Sequence, residues 1–151
     1  MIRSNPQEAA LSQRAQQAAE TALPQRTQQA AGRLNYHLVW CPKFRRPVLT
    51  GDVSDRLVEM LQILVGDIGG YVVNLDVRPD HVHLFGGFPP TVSPQQIVRR
   101  LKDTTSNRLR SEFPALRSRL PSLWTRYCYV GTTDTVSTET IRKYIESQEG
   151  I

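Results

Sequence analysis

Two histidines one residue apart, in Asp80-His81-Val82-His83-Leu84, have the clearest capacity for chemistry in this sequence. Side chains on a β-strand alternate with a period of two, so on a strand His81 and His83 share one face and Val82 and Leu84 the other. Two imidazoles held side by side suit a shared divalent metal, because neutral imidazole is a common nitrogen ligand and a strand fixes the spacing. Strand histidines at this spacing also occur where nothing is bound, so the pair needs company. Near the C-terminus Ile141, Tyr144, Ile145 and Gln148 fall at offsets of three, four and seven, which places them on one face of a helix. Tyr144 there has two readings. Either it packs its ring inward with the hydroxyl at the edge, or, with a metal held by His81 and His83 and an oxygen ligand from Gln148, it attacks a phosphodiester from one helical turn away. A tyrosine with a pKa of about 10 is only about one part in a thousand ionised at neutral pH, so attack needs a positioned acceptor or the field of the metal.

The elements that must place these groups belong to a chain of 151 residues, enough for one globular domain with a single core and an appendage. No apolar run approaches the length of a membrane span, and the N-terminus lacks the apolar stretch of a secretory signal, which predicts a soluble intracellular protein. Cys41 and Cys128 form no Cys-x-x-Cys pair and read as reduced structural thiols. The net charge of +5 fits a polyanionic partner. Charge concentrates between Arg99 and Arg119, with seven cations against two carboxylates; charge alone fits a solvated helix face as well as a phosphate-binding surface.

Residues 1–33 are rich in Gln and Ala with few large apolar side chains, and predict an exposed helix or a disordered extension. The domain proper spans residues 34–151. Its first strand runs from Leu34 to Cys41, with His37 on the face opposite Tyr36, Leu38 and Trp40, either toward the histidine pair or simply packed against a neighbour. Lys43-Phe44-Arg45-Arg46-Pro47 mixes cations with an aromatic ring in a loop, a combination that grips single-stranded nucleic acid by charge and stacking. An amphipathic helix follows from Gly51 and stops at Gly69-Gly70. Tyr71 to Val77 and His81 to Phe88 read as antiparallel strands around Arg78-Pro79-Asp80. Ser93-Pro94-Gln95-Gln96 supplies an N-cap, a first-turn proline and a capping-box glutamine for a second helix. On that helix Arg99, Lys102, Ser106 and Arg110 are expected along an outer stripe, with Ile97, Leu101 and Leu109 inward. Leu123 to Val130 reads as a fourth strand, and Ser137 as the N-cap of a final helix. This order suits a four-stranded antiparallel sheet of ferredoxin-like α+β class, with helices on one face and an extra C-terminal helix carrying Tyr144.

The blocks Tyr36-His-Leu-Val-Trp-Cys, Lys43-Phe-Arg-Arg-Pro-Val-Leu-Thr-Gly, Pro79-Asp-His-Val-His-Leu, Leu101-Lys, Leu123-Trp and Lys143-Tyr-Ile-Glu-Ser-Gln resemble, in order over roughly residues 34–149, the IS200/IS605 family of single-tyrosine transposases. The resemblance implies a HUH-type nuclease that acts on single-stranded DNA at insertion-sequence ends and recognises a hairpin near each end. It implies His81 and His83 as metal ligands, Gln148 as the third ligand, Tyr144 as nucleophile, and magnesium or manganese as the metal. It further implies a homodimer whose active sites can be shared between subunits, working in the cytoplasm of a prokaryotic cell, at the nucleoid, with no membrane partner. Lys43, Arg45, Arg46, Arg99, Lys102 and Arg110 are the cations expected to meet DNA. The implied reaction is transesterification through a 5′-phosphotyrosine. Three departures stand out: Arg78 where a hydrophobic residue is expected, Asp103 where a glycine is usual, and Trp124-Thr-Arg-Tyr-Cys in place of Ser-Pro-Ser-Tyr. Two other classes use the same residues. One is a ferredoxin-like single-strand nucleic-acid binder without chemistry; the other is a metal-dependent phosphodiesterase in which water attacks.

Overall fold

Alternation along Leu-Asn-Tyr-His-Leu-Val-Trp sets the first strand, β1 (Leu34–Trp40), and divides the molecule into two sides. Tyr36, Leu38 and Trp40 point into the main core, whereas Val39 joins a smaller cluster on the opposite face. In this computed structural model residues 32–132 and 138–148 are described. The expected extension, apart from its last two residues, and the expected N-cap at Ser137 lie outside them.

After β1 come a short 3-10 turn (Lys43–Arg45), α1 (Gly51–Asp67), β2 (Tyr71–Arg78), β3 (His81–Phe88), α2 (Pro94–Glu112), α3 (Pro114–Arg119), β4 (Tyr129–Gly131) and α4 (Thr138–Ser147). The four strands form one sheet in the order β2-β3-β1-β4, antiparallel at every junction. This is the expected ferredoxin-like α+β arrangement. β1 is central and buried on both faces over most of its length, while β2 lies at an edge, where a bulge between Val72 and Asn74 re-sets the alternation. That extra residue lets Val72, Leu75 and Val77 all pack against the core although Val72 and Leu75 are three apart.

The main core lies between the sheet and α1 and α2. Leu57, Leu61 and Val65 from α1 and Ile97, Leu101 and Leu109 from α2 meet Leu38, Val82, Leu84 and Phe88 from the sheet, all fully buried. α2 begins as its sequence demands: Ser93 accepts from the Gln96 amide, and the Gln96 side chain accepts from the Ser93 amide at 2.9 Å. α4 packs on the other face, through Ile141, Tyr144 and Ile145 against Val39, Cys41 and Tyr129.

Two expectations are corrected. The fourth strand is only Tyr129–Gly131, not Leu123–Val130. Lys102, expected on the outer stripe of α2, is buried at 9 % exposure. The two corrections have one cause. The Lys102 ammonium donates to the carbonyls of Thr125 at 2.6 Å and Tyr127 at 3.1 Å, so these acceptors are taken from any sheet ladder. The segment before β4 is tied down instead by a bridge between Pro42 and Trp124, by the Thr125 amide on the Cys41 carbonyl, and by the Trp124 indole on the Thr105 hydroxyl at 3.0 Å.

The strand pair that carries the histidines has no room to spare. A Cβ on Gly86 would stand 2.5 Å from the Tyr71 carbonyl oxygen, which is backbone and cannot yield, whereas one on Gly66 in α1 would meet nothing within 4 Å. Gly86→Ala should therefore destabilise the fold by about 1–3 kcal/mol or more, and Gly66→Ala should stabilise it by about 0.5–1 kcal/mol. Urea denaturation of both variants, with opposite shifts of the midpoint, checks the packing.

Candidate active site

β3 brings His81 and His83 to the face of the sheet away from the main core, as the alternation requires: Val82 and Leu84 are fully buried beneath them and the histidines are partly exposed. β1 adds His37 to the same face, because Val39 pairs with His83 and His37 with Phe85. His37 stacks on Phe85, ring centroids 4.2 Å apart, and its Nδ1 lies 3.1 Å from His83 Nε2. One of these two nitrogens carries the proton between them, and the other accepts. Burial pushes the His83 imidazolium pKa down, His37 beside it pushes the same way, and Asp76 opposes. His83 is therefore biased toward the neutral form that binds a metal.

His81 is oriented differently. Its Nδ1 lies 2.9 Å from Asp80 Oδ1, and the other Asp80 oxygen accepts from Arg45 Nε at 2.8 Å. Burial by itself would raise the Asp80 carboxyl, but the hydrogen bonds from His81 and Arg45 outweigh it and hold the group below the usual carboxylate range. An ionised carboxylate accepting from Nδ1–H leaves the His81 Nε2 lone pair free, the arrangement found behind metal-bound histidines.

α4 covers this face from the β4 side. Gln148, just past its end, is 4 % exposed; its Nε2 donates to Ser147 Oγ, and its buried Oε1 has no partner among the described residues. A buried carbonyl oxygen with no donor is costly unless something positive reaches it. Two imidazoles on one face and an amide oxygen with no partner among the described residues are donors that a divalent cation could take, provided that His83 presents Nδ1 or exchanges its hydrogen bond to His37. Among the described residues no group of three or more His, Cys, Asp or Glu gathers as a metal cluster.

Tyr144 is half-buried, and its hydroxyl donates to the Tyr127 carbonyl at 3.1 Å. This is the carbonyl that Lys102 also holds. Burial pushes the phenol pKa up, the neighbouring Cys128 and Cys41 add to the rise, and hydrogen bonds from Thr125 and the Tyr129 backbone only partly oppose it. Among the described residues no hydrogen bond joins Tyr144 or Gln148 to either histidine. Cys41 and Cys128 are free thiols, as expected, and burial pushes both up to about 12, which leaves neither as a nucleophile at neutral pH.

The expected DNA-contacting cations separate into two groups. Arg46 and Arg99 are exposed, and Lys43 is partly exposed with its ammonium 5.4 Å from the Phe44 ring centroid. Arg45 is engaged by Asp80, Arg110 donates to the Pro121 carbonyl at 3.1 Å, and Lys102 is buried. Sequence reading missed Asp80, taken only as a turn residue, and Asp76. Asp80 directly precedes the histidine pair, which was the available signal; Asp76 pairs with His83 across the strands, a relation set by register alone.

The family model described as "Transposase IS200 like" matches residues 30–148. The ISDra2 transposase TnpA of Deinococcus radiodurans is 36 % identical over 119 residues, covering 77 % of this chain and 84 % of the relative. The transposase for insertion sequence element IS200 of Salmonella typhimurium is 28 % identical over 115 residues, covering 75 % of each chain. A crystal structure from Deinococcus radiodurans R1, described as that of a candidate transposase, superposes with a TM-score of 0.71 at 34 % identity, over 83 % of this chain and 98 % of that one.

The buried ammonium gives a test of how the tyrosine is seated. Lys102→Met leaves the Thr125 and Tyr127 carbonyls without their donor and should cost about 1–3 kcal/mol. Thermal or urea unfolding of Lys102→Met measures the loss, and a surface cation would show a change under about 0.5 kcal/mol.

Proposed function

Because the chain belongs to the IS200-like transposase family, we propose that it cuts and rejoins single-stranded DNA at the ends of an insertion sequence, with Tyr144 as the nucleophile. The observation that carries this reading is the shared face: His81, His83 and the partnerless Gln148 oxygen lie on the side of the sheet that the Tyr144 helix covers. His81, His83 and Gln148 would hold magnesium or manganese. When bound, that ion supplies Lewis-acid neutralisation of charge on the scissile phosphate.

The chain's own residues account for the rest. Asp80, braced by Arg45, fixes the His81 tautomer. Tyr144 loses its proton to solvent, its oxygen forms a bond to phosphorus, and the bond from phosphorus to the 3′ oxygen breaks, the departing oxygen taking a proton from solvent to leave a 3′ hydroxyl and a 5′-phosphotyrosine. Attack of a 3′ hydroxyl on that linkage reverses the exchange and rejoins strands without a nucleotide cofactor. The cations Lys43, Arg46 and Arg99 meet the DNA backbone, and the substrate carries a hairpin near each cut. The protein works as a homodimer with sites that can be completed across subunits, in the cytoplasm. No helix among the described residues is long and apolar enough to cross a membrane.

The decisive experiment incubates the protein with manganese and single-stranded oligonucleotides copying the DNA on both sides of its own gene, and resolves the products on a denaturing gel. A protein band carrying 5′-linked DNA, lost in Tyr144→Phe and with chelator, is the expected result. His81→Ala and His83→Ala should each lower adduct formation by about 100-fold or more. Binding without an adduct would leave a binding module, and cleavage that persists in Tyr144→Phe would leave a hydrolase. The phenol pKa also predicts a pH dependence. A raised pKa keeps Tyr144 protonated across the neutral range, so the phenolate fraction grows about tenfold per pH unit and the initial rate of adduct formation should climb from pH 6 to 8.5. A rate that falls over this interval would remove the phenolate from the rate-limiting step.

A further inference from the structure

The turn between β1 and α1 holds a feature that strand transfer by the histidines and Tyr144 leaves unused. Phe44 and Arg45 have φ of 59° and 52°, and among the described residues they are the two non-glycine residues with positive φ. A phenylalanine enters the left-handed region only where its surroundings impose it. Here they do: the Lys43 amide donates to the Leu123 carbonyl at 2.8 Å, the Arg45 amide to the Pro42 carbonyl at 2.8 Å, and the Arg45 side chain to Asp80. The result is that the Phe44 ring faces outward, 43 % exposed, although Cys41, Pro42 and Leu49 close by are buried. An apolar ring excluded from the core by a strained and well-anchored backbone is displayed rather than misplaced.

Its surroundings suit one kind of ligand. The ring and Arg45, Pro47, Pro79 and Asp80 line an open recess, in which the aromatic ring and two prolines stand beside the Arg45–Asp80 ion pair. Asp80 does not repel an anion there, because the Arg45 guanidinium is paired with it. Lys43 lies over the Phe44 ring and Arg46 is exposed next to it. An exposed aromatic ring flanked by cations matches a planar base attached to a phosphate backbone. Position gives the finer statement. Arg45 bonds Asp80 and Asp80 bonds His81, so two hydrogen bonds of 2.8 and 2.9 Å connect the turn that displays the ring to a proposed metal ligand.

We propose that Phe44 is a stacking platform for one unpaired base adjacent to the phosphodiester held at His81 and His83, with Lys43 and Arg46 on the flanking phosphates. This rests on the strand-transfer reading and adds how the strand is registered: the stacked base sets which phosphate reaches the histidines, and a paired base cannot offer its face.

The test uses the full chain carrying Tyr144→Phe, so that cleavage does not intervene, and the same single-stranded oligonucleotides. Trp40 and Trp124 are buried at 1 % and 6 % exposure, so Phe44→Trp introduces an exposed indole whose fluorescence reports on this turn. Quenching of that indole by bound single strands, and none by the fully paired duplex, is expected. Phe44→Ala should weaken single-strand binding by about 5- to 150-fold without changing its salt dependence, since the phosphate contacts remain. Phe44→Gly, which adopts positive φ without strain, must show the same loss, and an unchanged melting temperature separates stacking from folding. Binding by both variants within about twofold of the parent, or a bound strand that leaves the indole unquenched, overturns the stacking site. The adduct assay in the Tyr144 background fails separately: Phe44-dependent binding with no adduct overturns strand transfer alone, and an adduct formed equally well by Phe44→Ala overturns the stacking site alone. Absence of any single-strand binding overturns both.

Discussion

The antiparallel pairing of β1 with β3 is the constraint on which the site depends. Val39 opposite His83 fixes which side chains of both strands face the helices and which face outward. A slip of one residue would carry His81 and His83 into the core and Val82 and Leu84 out of it. The apolar set prevents this. Val82, Leu84 and Phe88, each fully buried, would leave the core together, at about 1.5–3 kcal/mol for each. The hydrophobic core thus determines where the polar groups stand. The close approach of His37 to His83 is a by-product of the same register, since neighbouring strands lie about 4.8 Å apart and residues two along share a face.

The second determinant is a buried charge. An ammonium in the interior costs several kcal/mol unless it is hydrogen-bonded, and Lys102 recovers that cost through two main-chain carbonyls from the segment between α3 and β4. Burial pushes its pKa down, but its two carbonyl partners and the nearby Asp103 favour the cation. The consequence reaches α4. Tyr127 offers its carbonyl to Lys102 and to the Tyr144 hydroxyl, so the lysine on α2 fixes the acceptor that seats the tyrosine on α4. Two helices on opposite faces of the sheet are joined through one carbonyl oxygen.

What the sequence made legible follows the strength of its periodicities. The strand His81–Phe88 alternates over its first five residues and was readable to the residue, and so was the α2 start, where Ser93, Pro94 and Gln96 each have a physical role. The Tyr144 helix could be placed on a face by its three-and-four spacing, but which face of the sheet it covers is a tertiary fact. The region 123–130 was misread because its aromatic and β-branched residues have strand character, whereas its carbonyls are captured by a lysine more than twenty positions away. Lys102 was misread for the same reason from the other side: helical spacing puts it next to Leu101 near the edge of the apolar stripe, and only its partners decide that it turns inward. Asp80 shows a third kind of limit. Its place before His81 was visible, but its use as a brace depends on Arg45 reaching it from a turn 35 positions earlier, in a left-handed backbone that no local preference favours.

Tyr144 faces two obstacles before it can act as a nucleophile, and their sizes decide which governs. Its hydroxyl must leave the Tyr127 carbonyl, a single neutral hydrogen bond with a net value of about 0.5–1.5 kcal/mol. The helix that carries it is held by a small cluster, Val39, Cys41 and Ile145 with Tyr129, Ile141 and Tyr144 around them, set apart from the main core, and such a unit can shift at modest cost. The proton is the larger obstacle. Ionising an ordinary phenol at neutral pH already costs about 4 kcal/mol, and every tenfold gain in proton affinity adds about 1.4 kcal/mol. Burial pushes Tyr144 in that direction. Geometry is therefore the smaller share of the barrier, and a charge brought to this face by the substrate or by a cation on His81, His83 and Gln148 has more to contribute by holding the phenolate than by moving the ring.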